Sequence, residues 1–166
     1  MKKIVLLFCL LVASVAAQAQ FEKGKWFINP GITGMNLVHS TENDKTSFGL
    51  EAQGGYFLFD NFALMANLGG SWNTEVAREY GSDIDTYRMG AGVRYYFDKV
   101  GIFVGGNCNI ERWCGDYLSE TKFSFGMEAG YAFFLSRTVT LEPSFYWNLN
   151  EDRSRFGVKL GFGVYF

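Results

Sequence analysis

Phe156-Gly-Val-Lys-Leu-Gly-Phe-Gly-Val-Tyr-Phe166 is the stretch whose reading decides the fold. Every second residue is large and apolar: Phe156, Val158, Leu160, Phe162, Val164 and Phe166. Between them stand Gly157, Lys159, Gly161, Gly163 and Tyr165. A strand turns alternate side chains to opposite faces. One face is therefore greasy, and the other is small or charged apart from a terminal Tyr. A strand of this kind, ending on Phe, suits the wall of a membrane barrel better than a soluble sheet.

Working back from it, the same alternation recurs seven times: Trp26–Thr33, Phe48–Leu58, Phe62–Trp72, Thr86–Phe97, Ile102–Glu111, Phe123–Phe133 and Val139–Asn148. With the terminal run this predicts eight strands of roughly ten residues, the length a tilted strand needs to cross a bilayer. The connections alternate too. Asp60-Asn61, Asp98–Gly101 and Ser136-Arg137 are short, whereas His39–Ser47, Asn73–Asp85, Arg112–Lys122 and Leu149–Arg155 are long and charged. An all-β, eight-stranded antiparallel up-and-down transmembrane β-barrel is the expected fold. Its short turns would be periplasmic and its long loops outside.

The N-terminus carries a separate message. Lys2 and Lys3 precede an apolar run, Ile4 to Val12, and then Ala17-Gln18-Ala19. This pattern predicts a signal peptide over residues 1–19 and a barrel domain over 20–166, exported through the periplasm to the outer membrane. Lipidation at Cys9 is not expected, because bulky Phe8 precedes it inside the apolar run. The chain has 18% aromatic residues, 20 Gly and 2 Pro, a balance that favours strands. Of its 15 basic residues, removal of Lys2 and Lys3 leaves 13 against 17 acids, a net charge of −4. That argues against nucleic acid as a partner, which needs a basic surface. Cys108 and Cys114 share a strand face roughly 20 Å apart, too far for a disulfide unless the chain bends back. Two Cys and one distant His make no metal-ligand set, and no cofactor is expected.

Alternation alone does not say which face is outside. A soluble barrel would put its apolar face inward. Here Trp26, Tyr56, Phe62, Tyr95, Phe97, Tyr131, Phe133 and Phe166 fall at one end of the strands. Trp72, Tyr87, Phe123, Trp147 and Phe156 fall at the other. Two such belts fit the two headgroup regions of a membrane. Together with the signal peptide and the terminal Phe, they place lipid outside.

At this point the chain resembles the small outer-membrane β-barrel domain proteins, similar to OmpX and to the membrane domain of OmpA. The resemblance spans the mature chain. It rests most specifically on Gly161-Phe-Gly-Val164-Tyr-Phe166, and on Gly55-Tyr-Phe-Leu-Phe-Asp60 and Val93-Arg-Tyr-Tyr-Phe97. It implies a barrel-assembly signal at Lys159, Gly161, Val164 and Phe166, read by the outer-membrane assembly machinery. It also implies outer-membrane lipid, including lipopolysaccharide, as surroundings. It implies no shared activity, since such a family is defined by architecture. The peptidoglycan-binding domain of OmpA-type proteins is not expected, because the eighth strand ends the sequence.

The expected inward face holds Glu51, Arg88, Arg94, Glu111, Glu128, Glu142 and Lys159. Unpaired charges would be costly there, so these seven are expected to form a self-neutralising network that fills the lumen. The competing reading is a narrow ion or small-solute pore. His39, the sole histidine, stands beside Ser40 and near Glu42. Lipid A-modifying enzymes are built on barrels of this size, yet neither the deacylase nor the palmitoyltransferase pattern maps onto these residues. No catalytic residue is assigned. The loops are the better candidates for binding. They carry Tyr80, Trp113, Tyr117 and Leu118, with Lys45, Arg78, Arg112, Lys122, Arg153 and Arg155 as possible partners of lipopolysaccharide phosphates. The expected function is a non-enzymatic outer-membrane barrel whose loops mediate adhesion, surface protection or another interaction. The extracellular ligand or protein is not readable.

Overall fold

The computed structural model describes residues 21–35, 48–73, 84–97, 101–114, 119–150 and 154–166. The signal peptide, His39, Lys45, Arg78, Tyr80, Tyr117, Leu118 and Arg153 lie outside the described residues, as do the side chains of Trp72, Trp113 and Arg155. Eight strands form the wall: β1 (Trp26–Met35), β2 (Phe48–Phe59), β3 (Phe62–Asn73), β4 (Ile84–Tyr96), β5 (Ile102–Cys114), β6 (Ser119–Tyr131), β8 (Val139–Asn150) and β9 (Ser154–Tyr165). A two-residue strand, β7 (Phe133–Phe134), continues the line of β6 along β8 past Ala132.

Every neighbouring pair is antiparallel, and β1 pairs with β9, so the sheet closes on itself. In hydrocarbon an unpaired sheet edge would strand a row of backbone polar groups, and closure removes the edge. The joint is completed at its end by a reciprocal pair: Trp26 N–H donates to the Phe166 carbonyl at 2.8 Å, and Phe166 N–H to the Trp26 carbonyl at 3.0 Å. The β2–β3 turn is Asp60-Asn61, where Asn61 takes φ of 66°, a left-handed value that Asn tolerates better than most residues. The β7–β8 turn is capped by Ser136, whose Oγ accepts from the N–H groups of Thr138 and Val139 at 3.3 and 3.1 Å.

The burial pattern decides which medium lies outside. Phe123, Phe125 and Phe145 are 63–73% exposed on the outer face, while Arg94 is 0% and Glu142 1% exposed within. A water-soluble barrel would reverse this. The outward rings cluster at the turn end of the wall, with Trp26 against Tyr56 (centroids 4.8 Å), Tyr95 against Phe97 (5.3 Å) and Tyr131 against Phe133 (4.4 Å). Tyr87, Phe123, Trp147 and Phe156 stand outward nearer the loop end.

The loop end departs from expectation. Two of the expected long loops are mostly ladder. β5 runs through Arg112 to Cys114 and β6 starts at Ser119, leaving residues 115–118 between them; β8 and β9 leave only 151–153. The reason is physical. Charged residues do not end a strand once its ladder bonds are made, and above the hydrocarbon they meet water at no cost. Arg112 and Lys122 therefore belong to strands. Cys108 and Cys114 both lie on β5 and are free thiols.

Candidate functional site: the barrel lumen

The lumen is filled in three layers, beginning at the turn end. Phe27 (β1), Phe57 (β2), Tyr96 (β4), Phe103 (β5) and Tyr165 (β9) all point inward and are at most 2% exposed. Phe21, just ahead of β1, seals them from below. Its ring stacks on Tyr96 at 4.0 Å and meets Phe57, Phe134 and Tyr165 at 5.6–5.9 Å. Its carbonyl accepts from Asn61 N–H at 2.7 Å, which ties the stopper to the β2–β3 turn. Glycine makes room for these rings: a Cβ on Gly55 would collide with the Phe27 ring, and one on Gly130 with the Phe103 ring. The expectation of a small or charged inner face is therefore corrected here. At this end both faces of the wall are aromatic.

The middle layer is centred on Arg94, completely buried on β4. Its Nε donates to Glu128 Oε1 at 2.9 Å, and its Nη1 donates to Glu142 Oε2 at 2.9 Å and to Tyr96 OH at 3.0 Å. Its Nη2 donates to Gln53 Oε1 and Glu128 Oε1. The guanidinium also sits 4.4 Å from the Phe103 ring centroid, so the aromatic layer below supports the cation above it. Lys159 Nζ donates to Glu128 Oε2 at 2.6 Å and to Glu51 Oε1 at 3.4 Å. Glu142 also accepts from Asn29, Thr140 and Tyr165. Residues from β1, β2, β4, β6, β8 and β9 thus meet in one network. Buried charges persist when their remaining lone pairs and protons are satisfied in this way.

The loop-end layer is a second, separate group. Arg88 Nε donates to Glu111 Oε1 at 3.0 Å, and Glu111 also accepts from Ser124 Oγ and Asn150 Nδ2 at 3.0 Å each. All seven charged residues singled out from the alternation therefore face the lumen, divided between an Arg94 group and an Arg88 group. Alternation did not single out their polar partners Asn29, Gln53, Tyr96, Thr140 and Tyr165. They occupy the same inward parity, and a search for polar residues in phase with the charges finds them. Lys122 was read as a loop residue but shares that parity on β6, opposite Glu111 in register.

Of the four terminal-strand positions, Lys159 and Gly161 face inward, while Val164 and Phe166 are exposed on the outer face. Lys159 thus belongs to both the terminal pattern and the lumen network. Among the described residues no cluster of His, Cys, Asp and Glu could hold a metal. None of the described residues is a histidine.

Comparison with solved structures finds the same architecture. Neisserial surface protein A superposes with a TM-score of 0.64 at 16% identity, covering 86% of this chain and 96% of that one. Ail of Yersinia pestis gives 0.57 at 16%, covering 87% and 99%. The N-terminal barrel domain of Pseudomonas aeruginosa OprF gives 0.57 at 15%, covering 87% and 98%. At these identities the likeness concerns the fold. No curated protein sequence matches the chain. The family model described as the outer membrane protein beta-barrel domain matches residues 5–166. With a closed wall, an apolar exterior and a charged interior, the chain belongs to that family and is an outer-membrane β-barrel.

Proposed function

We propose that the protein is a non-catalytic outer-membrane scaffold: a plugged barrel that holds its loop-end surface above the membrane for adhesion, protection or another surface interaction. The observation that carries this reading is the filled lumen. The Phe21 stopper, the aromatic layer and the Arg94 network lie one above another across the barrel. Such a lumen leaves no path for solutes, so unitary conductance is not expected in planar bilayers. Stable single-channel events altered by Arg88→Ala or Glu128→Gln would replace the scaffold reading with a pore.

The competing class is a lipid A-modifying enzyme, for which the sole histidine, His39, lies outside the described residues. The mass profile of lipid A should be unchanged when the protein is overproduced. A His39-dependent change would point to an enzyme. A surface role agrees with one structural relative, the attachment invasion locus protein of Yersinia pestis, a structure of which is complexed with the heparin analogue sucrose octasulfate. Binding of host-cell surfaces or sulfated glycans by cells that display the barrel is the direct test. The reading also takes insertion to depend on the terminal strand. Deleting Phe166 removes the reciprocal Trp26 pair and should impair membrane assembly while leaving export intact.

A further inference from the structure

Above the Arg94 layer the lumen is lined by polar side chains around small cavities. Two small cavities adjoin there, and both have Glu51, Arg88, Tyr146 and Asn148 in their walls. Each has room for roughly one or two water molecules. Asn67 of β3 reaches the deeper cavity at 3% exposure, and neither its Nδ2 nor its Oδ1 has a hydrogen-bond partner. Asn109 of β5, also 3% exposed, donates to Asn107 at 2.7 Å but leaves its own Oδ1 unbonded. The two residues lie in one register row, Asn67–Gly90–Asn109, across β3, β4 and β5. Gly90 lets the Asn109 amide lie over the backbone between them, since a Cβ there would strike Asn109 Oδ1.

We infer that the deeper cavity is a built hydration site, in which ordered water is held by Asn67 and Asn109 across Gly90. The donor and acceptor inventory identifies the ligand. Asn67 needs an acceptor for its Nδ2 and a donor for its Oδ1, and Asn109 Oδ1 needs a second donor. One neutral molecule that both gives and accepts meets all three needs. A cation is opposed by Arg88 and Lys159 in the same wall, and an anion by Glu51 and Glu128. Leaving these amides dry would cost a desolvation penalty at each buried atom.

The test uses residues 20–166 refolded in detergent and labelled with nitrogen-15. Rotating-frame cross-peaks from long-lived water to the Asn67 and Asn109 side-chain amides are expected. Asn67→Leu should abolish them and lower the temperature of the heat-induced gel shift by about 2–8 °C, although Leu adds apolar volume. Absence of cross-peaks in the unaltered protein overturns the inference. A raised or unchanged transition in Asn67→Leu overturns it as well, because filling a dry cavity would stabilise. Amide shifts that follow an exchange of sodium for potassium, or of chloride for a larger anion, would assign an ion in place of water. The cross-peaks are read on the unaltered chain, so failure of the variant to fold leaves the test intact.

Discussion

The turn end and the loop end of the lumen have the same backbone and opposite fillings. Both are built from inward residues of the same alternating strands. At the turn end the fill is aromatic, closed by Phe21 and topped by one guanidinium whose every group is used. At the loop end the fill is amide and ion pair, and amide atoms of Asn67, Asn109 and Asn150 stand without protein partners. The difference teaches that plugging and hydrating are separable tasks within one narrow barrel. Rings exclude water and close the base. Amides hold space that water can share.

Four substitutions would break or sharpen that contrast, measured by urea unfolding of the refolded barrel in micelles. Arg94→Met should be the most damaging. It leaves Glu128 and Glu142 without the cation they share, at a cost of about 3–5 kcal/mol. A loss near that of a surface variant would show that the middle layer is not what joins the strands. Phe57→Ala, which opens the aromatic layer, should cost about 3 kcal/mol, seen as a lower urea midpoint at unchanged slope. Arg88→Met should cost less, about 1–2 kcal/mol, because Glu111 keeps Ser124 and Asn150 as donors. An effect equal to that of Arg94→Met would mean that the two ends act as one unit. Tyr96→Phe keeps the ring and loses only its hydroxyl bonds to Arg94 and Tyr165, at about 1 kcal/mol.

Where the two faces of a strand differ in polarity, the sequence was enough. Along Phe156–Phe166 or Phe123–Tyr131, alternation divides the residues into the two sets that the fold displays on its two faces, and the aromatic belts and terminal Phe say which set is outward. It was silent where the contrast vanishes. In Trp26-Phe27, Tyr56-Phe57 and Tyr95-Tyr96-Phe97 both faces are aromatic, so a period-two pattern cannot separate belt from plug. The clue was positional. These pairs all fall at the same end of their strands, where lumen and headgroup zone both want rings. The strand ends at Arg112–Lys122 were misplaced for another reason. Charge marks the exit from lipid, whereas the ladder stops only where pairing stops. Which carboxylate meets which cation depends on register across several strands, as in Arg94 of β4 reaching Glu142 of β8, and no local pattern encodes it.

The extension of β5 and β6 to 13 residues each has a mechanical consequence. About 9–11 residues suffice to cross the hydrocarbon, so the last few rungs stand clear of it as a braced post rather than a tether. Residues 115–118 connect β5 to β6 in the chain, and 151–153 connect β8 to β9. A partner that grips the last rungs of such a post meets backbone already held in the ladder, so less of the contact energy is lost to ordering. The same stiffness restricts the choice of partner, because a post can meet a matching surface but cannot wrap around one.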